Sequence, residues 1–118
     1  MLLILLRHGP AGAADASVWP DDSQRPLTAR GKERTRRAVE GLACLLEGQV
    51  RTILTSPYAR CSQTAGIASE VLGCRAVSAS DDLEPGGCGR RLLEQLPSLA
   101  EDEVAVLVHR DLLGAAEG

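Results

Sequence analysis

Leu2-Leu3-Ile4-Leu5-Leu6-Arg7-His8-Gly9 is the stretch that decides the fold. Five consecutive apolar residues closed by a polar break predict a buried strand of a parallel sheet, because such strands are covered on both faces. A strand of this kind delivers the next few residues to the carboxyl edge of the sheet, where open α/β folds place their ligands. Those residues are here a guanidinium, an imidazole and a glycine. Arginine offers a planar fork of donors matched to a phosphate. Histidine can act as a nucleophile that accepts a phosphoryl group. Glycine lets the backbone turn sharply and lets an anion come close. Taken alone, Arg7-His8-Gly9 is more often a strand end with solvated polar residues, so the other strand ends must decide.

The rest of the chain alternates strand and helix. Residues 10–27, rich in Ala, Gly, Asp, Ser and Pro, read as a long surface loop, a feature that is functional or disordered in most domains. Thr28 fits a helix N-cap, and Thr35, Val39, Leu42 and Leu46 recur at helical spacing up to Gly48. Residues 50–55 read as a second strand, and Ser56-Pro57 as an N-cap followed by a first-turn proline. Cys61, Ala65, Ala68 and Leu72 mark one face of a second helix that Gly73 ends. A shorter strand over 75–80 and a turn at Pro85-Gly86-Gly87 come next. A brief helix with Leu92, Leu93, Leu96 and Leu99 then leads to a final strand over 104–108 that ends on His109. This order predicts a three-layer α/β/α sandwich with a mainly parallel sheet and helices on both faces. No linker divides the chain, so residues 1–118 read as a single domain.

Composition narrows the function classes. One Trp, one Tyr and no Phe leave the core to aliphatic residues. The formal charge of −3 gives no reason to expect nucleic acid or an anionic membrane as partner. Arginine supplies 12 of the 13 basic residues, weak support for phosphate recognition. Cys44, Cys61, Cys74 and Cys88 lie too far apart for a CxxC redox or zinc motif. A reduced, cytoplasmic protein is expected, with the two helical cysteines as small buried thiols. The apolar start is too short for a signal peptide, and no stretch approaches the length of a membrane span.

In a parallel sheet, three strand ends would gather at one edge. They carry Arg7-His8-Gly9, then Thr55-Ser56-Pro57 with Arg60 in the first turn of the following helix, and His109. Two arginines, two histidines and a helix N-terminus share a preference for a tetrahedral dianion. The ordered set runs from Leu5-Leu6-Arg7-His8-Gly9-Pro10-Ala11 to Arg25-Pro26-Leu27-Thr28 with Gly31, and to Leu54-Thr55-Ser56-Pro57 with Arg60. It continues through Gln63-Thr64-Ala65 and Leu83 with Pro85-Gly86-Gly87 to His109. This set resembles the histidine phosphatase superfamily, and within it the SixA-type phosphohistidine phosphatases.

That resemblance implies a phosphoglycerate mutase-like fold and a metal-independent phosphatase with a phosphohistidine enzyme intermediate. It implies that His8 attacks phosphorus, that Arg7, Arg60 and His109 hold the phosphoryl oxygens with it, and that no cofactor takes part. The chemistry of these residues agrees, since phosphoryl transfer needs positioning and electrostatic stabilisation above all. To attack, His8 must be neutral at one nitrogen, so its other nitrogen is expected to donate to a backbone carbonyl. Ester substrates would also need a proton donor. Glu84 is the best candidate, with Asp82 behind it and an exposed turn carboxylate as its plainer reading.

The first functional reading is a phosphatase of phosphohistidine in proteins. A second is a phosphatase of small phosphate esters, and a third a catalytically weak phosphate-binding module. The third draws on a departure from the family pattern. Val108 precedes His109 where the family has a small residue, and is expected to crowd the phosphate pocket. The family also continues past the position of Gly118 with a helix and further strands, so the sequence reads as shortened at its C-terminus. Asp111-Leu112-Leu113-Gly114 looks like the start of that helix. An open sheet edge and homo-oligomers formed through it are expected in consequence.

Overall fold

The computed structural model of the chain describes residues 1–12, 15–46, 49–84 and 86–109. Within them, β1 (Leu2–Arg7), β2 (Gln49–Thr55), β3 (Val77–Ala79) and β4 (Glu103–His109) form one sheet in the order β1-β4-β2-β3. Every pairing is parallel. Parallel neighbours require crossover connections, which α1 (Ala29–Leu45), α2 (Ala59–Leu72) and α3 (Gly89–Glu94) help to supply. The carboxyl ends of the strands therefore share one edge.

Side-chain alternation along the strands divides the core in two. Val104, Val106 and Val108 point to the face that α1 and α2 cover, where they meet Ile53, Val39, Cys61, Ala65 and Ala68. Leu107 and Leu54 point to the opposite face and pack against Leu83 and Leu92. The expected three layers are present, and β4 at the centre is buried on both faces. Fully burying a side chain such as Ile53 contributes about 1.5–3 kcal/mol.

Caps explain where the helices begin and end. Thr28 caps α1 as expected, its hydroxyl accepting from the Gly31 N–H at 2.9 Å. Gly73 ends α2 in the left-handed conformation, with φ of 68°. The start of α2 departs from the sequence reading. Its N-cap is Tyr58, and Ser56 and Pro57 lie outside the helix. The Ser56 hydroxyl is held by Glu84 and accepts from the Tyr58 N–H, so it serves the sheet edge instead of the helix end.

The strand that opened the sequence reading is not buried on both faces. Ile4 and Leu6 pack on the core, but Leu2, Leu3 and Leu5 are exposed, Leu5 by 51%. Among the described residues β1 pairs only with β4, so it lies at the edge of the sheet. The third strand covers three residues instead of six. In the brief helix only Leu92 is buried, with Leu96 packed beside it and Leu93 exposed, because two turns cannot bury a continuous stripe. Cys61 is buried as expected, whereas Cys44 is exposed. Gly48, Pro85 and residues 110–114, to which the sequence reading also gave roles, lie outside the described residues.

Candidate active site

The register of β1 against β4 sets Arg7 beside His109. The His8 N–H donates to the His109 carbonyl at 3.2 Å, continuing the ladder by one bond past the strand end. Strand alternation turns Arg7 and His109 to the same face, away from the core that takes Leu6 and Val108. Val108 is wholly buried in that core, so it does not crowd the side of His109 as the sequence reading expected. The third strand end joins on the other flank, where the Ser56 N–H donates to the Val108 carbonyl at 2.9 Å.

A short relay ties the first motif to α2. The Gly9 N–H donates to the Thr64 hydroxyl at 3.2 Å, and that hydroxyl donates to the Arg60 carbonyl at 2.8 Å. The segment after β1 can come this close only because of two glycines. A Cβ on Gly9 would lie 2.0 Å from the Thr35 hydroxyl oxygen, and one on Gly31 would lie 1.9 Å from the Pro10 carbonyl oxygen. Both glycines stand in the quoted motifs, and their smallness is what the packing uses.

Arg60 is 2% exposed, and its guanidinium lies 4.9 Å from the centre of the Tyr58 ring. Its Nη1 donates to the Asp22 carbonyl and its Nη2 to the Asp22 carboxylate, each at 3.0 Å. Its Nε has no partner among the described residues. Arg25 donates to the same carboxylate from its Nε at 2.8 Å, and to the Gly12 carbonyl from Nη1. Asp22 thus bridges two guanidiniums, and their hydrogen bonds, that from Arg25 first, hold its carboxyl below the usual range. The loop over residues 10–27 is fastened here and where the Leu27 N–H donates to Gln63 Oε1 at 2.8 Å.

The surroundings of His8 favour its neutral form. Its Nδ1 lies 2.7 Å from the Gly9 carbonyl oxygen, which can only accept, so Nδ1 carries the proton and Nε2 keeps its lone pair. Burial lowers its pKa from the ordinary 6.5, opposed by the Gly9 hydrogen bond and reinforced by the charges of Arg60, Arg7 and Arg25. The expected donation to a backbone carbonyl is present.

The two candidate acids differ in what holds them. Glu84 accepts from the Ser56 hydroxyl and so lies at the shared edge. Asp82 faces elsewhere, accepting from the Cys88 N–H at 3.0 Å, Arg91 Nη2 at 3.1 Å and Gln95 Nε2 at 2.9 Å. These donors, the Cys88 N–H first, push its carboxyl below the usual range, the wrong direction for a proton donor. Arg25 and Asp22 had no role in the sequence reading. Arg25 stood in a quoted motif, and its three-residue spacing from Asp22 was the only other signal.

A model of the histidine phosphatase superfamily (branch 1) matches residues 3–90, which include Arg7, His8, Arg60 and Glu84. The chain belongs to the histidine phosphatase superfamily. His109 lies beyond the matched stretch. The protein histidine phosphatase SixA, solved with tungstate, superposes with a TM-score of 0.74 at 25% identity, over 97% of this chain and 72% of its own. A SixA-type protein of Nakamurella multipartitia gives 0.67 at 32% identity, over 91% of this chain and 58% of its own. An uncharacterized protein of Picosynechococcus sp. is 43% identical over 70 residues, which are 57% of this chain and 39% of that protein. The match thus spans well under half of that relative. The structural likenesses place the chain in the SixA-like branch, and a phosphoglycerate mutase from Plasmodium falciparum shares the fold, with a TM-score of 0.65 at 18% identity over 98% of this chain and 76% of its own.

Proposed function

We propose that this histidine phosphatase hydrolyses phosphohistidine in proteins, through a phosphoryl group carried transiently on His8. The observation that carries the reading is the 2.7 Å contact of His8 Nδ1 with the Gly9 carbonyl oxygen, which leaves Nε2 to attack. In the first step Nε2 bonds to phosphorus as the substrate's P–N bond breaks, and the departing imidazole takes its proton from solvent. In the second, water attacks the phosphoryl group, the bond to Nε2 breaks, and inorganic phosphate leaves. Arg7, Arg60 and His109 stabilise the equatorial oxygens, and the buried Arg60 Nε, without a partner among the described residues, supplies a further donor. Fixed cations fill the electrostatic role that a metal would otherwise take, so the reaction is metal-independent.

Phosphoester hydrolysis is the second reading, because Glu84 hangs at the same edge. It would need a proton donor for the departing alkoxide, the part that would fall to Glu84 at the Ser56 hydroxyl. A phosphoramidate needs no strong acid, which favours phosphohistidine. The reading includes self-association through the unpaired side of β1. The test is to incubate the protein with a phosphohistidine protein in the presence of a chelator. Acid-labile label should be trapped on His8 and phosphate released, while His8→Ala should do neither. A sugar phosphate turned over faster than phosphohistidine would favour the ester reading instead.

A further inference from the structure

α1 begins at the carboxyl edge of the sheet, against the segment that comes after β1. Thr28 donates its N–H to the Pro10 carbonyl at 3.3 Å, and the Gly31 backbone lies against the same carbonyl. This end of the helix carries Arg30, Lys32, Arg34, Arg36 and Arg37 against a single acid, Glu33. Five of the chain's 13 basic residues therefore fall within eight positions, in a protein whose net charge is −3.

The arrangement runs against helix electrostatics. The N-terminal end of a helix is its positive end and favours acidic side chains, yet the first turn of α1 has none and its last turn has no basic residue. Arg30 and Arg34 are four apart and Arg34 and Arg37 three apart, so like charges are neighbours on one face. Ion pairs offset the crowding only in part, Arg36 with Glu70 and Arg37 with Glu33, while Arg30, Lys32 and Arg34 have none among the described residues. Arg30, Arg34 and Arg37 share one exposed strip with Ala29 and Glu33. That strip runs into the groove beside the site, because Arg34 also lines a cavity of about 250 Å³ with Arg7 and Gly9.

We propose that the Arg30–Arg34–Arg37 strip docks an acidic protein surface around the phosphohistidine that His8 attacks. The proposal rests on the phosphohistidine reading and names its partner as an acidic phosphoprotein. Charge complementarity of this kind accelerates encounter and fixes orientation. Nucleic acid fits less well, since the chain as a whole is acidic and aromatic residues make up 2% of it, too few for a stacking platform.

The test uses Arg30→Glu/Arg37→Glu, two residues outside the Arg7 groove. The substrates are an acidic phosphotransfer domain carrying phosphohistidine, and free phosphohistidine. At about 0.01 M salt, where the screening length is about 30 Å, the variant should lose about tenfold in kcat/KM on the domain, all of it in KM. Hydrolysis of free phosphohistidine should stay within about twofold, and the difference should vanish at about 1 M salt, where screening reaches about 3 Å. Fluorescence anisotropy with the unphosphorylated domain, a readout independent of turnover, should show the same salt-sensitive loss of binding. Equal losses on both substrates, unchanged binding of the domain, or tighter binding of a single-stranded oligonucleotide than of the domain would overturn the proposal. If neither substrate is hydrolysed, the phosphohistidine reading fails, and the anisotropy measurement still decides the strip.

Discussion

His8 shows how a single residue is prepared by its surroundings. Burial and three guanidiniums hold its pKa below the ordinary 6.5. The neutral imidazole is the attacking form, so kcat/KM should stay flat as pH falls to 6.5 and decline only below it. Arg25→Gln removes one of the cations, makes the imidazolium less unfavourable and should move that decline upward. A wild-type decline that begins above pH 6.5 would contradict this picture of His8. Asp22 has a different task, since it neutralises the 2% exposed Arg60. Asp22→Asn should cost about 1–2 kcal/mol in thermal unfolding, less than a wholly buried pair, because the carboxylate is 44% exposed. Inorganic phosphate should restore more stability to this variant than to the wild type, by supplying the missing negative charge. The bond from Asp22 to Arg60 was not legible in the sequence. A contact 38 residues apart leaves no local pattern, and an aspartate in a polar loop carries no signal of its own.

At the scale of elements, sequence patterns located the strands and helices well and their ends less well. The Thr28 cap and the Gly73 stop are local chemistry, and both are present. Ser56 satisfied the same local rule, yet its hydroxyl serves Glu84 and α2 begins after Tyr58. A serine before a proline cannot announce which of two partners it will take. Gly31 illustrates the opposite case, in which one residue fixes the contact between elements. Gly31→Ala would set a Cβ against the Pro10 carbonyl, an atom of the backbone with little room to move. The substitution should cost about 1–3 kcal/mol in chemical denaturation and weaken the site through displacement of the segment after His8. Unchanged stability would show that α1 and this segment are less tightly apposed.

For the whole molecule, the alternation of strand and helix was enough to give a parallel sheet with one functional edge. What it could not give was the position of β1. A run of five apolar residues looks the same whether both faces are covered or one, because coverage depends on chain elsewhere. Among the described residues β1 ends the sheet, with Leu2, Leu3 and Leu5 exposed. An unpaired strand with apolar side chains favours pairing with another copy. Sedimentation velocity should therefore show concentration-dependent association, which Leu5→Lys should reduce. A monomer at every concentration would count against pairing through β1. Val108 shows the same limit from the other side. Its neighbour in sequence suggested a crowded site, but strand alternation sends its side chain into the core.

Whether His8 carries the phosphoryl group is open to direct measurement. The protein would be quenched in the course of turnover with radiolabelled phosphohistidine protein and digested, and the peptide that bears acid-labile label identified. Label is expected on the peptide containing His8, with none on His8→Ala and no turnover by that variant. Turnover that survives His8→Ala, or label on His109 in its place, would show that His8 is not the nucleophile.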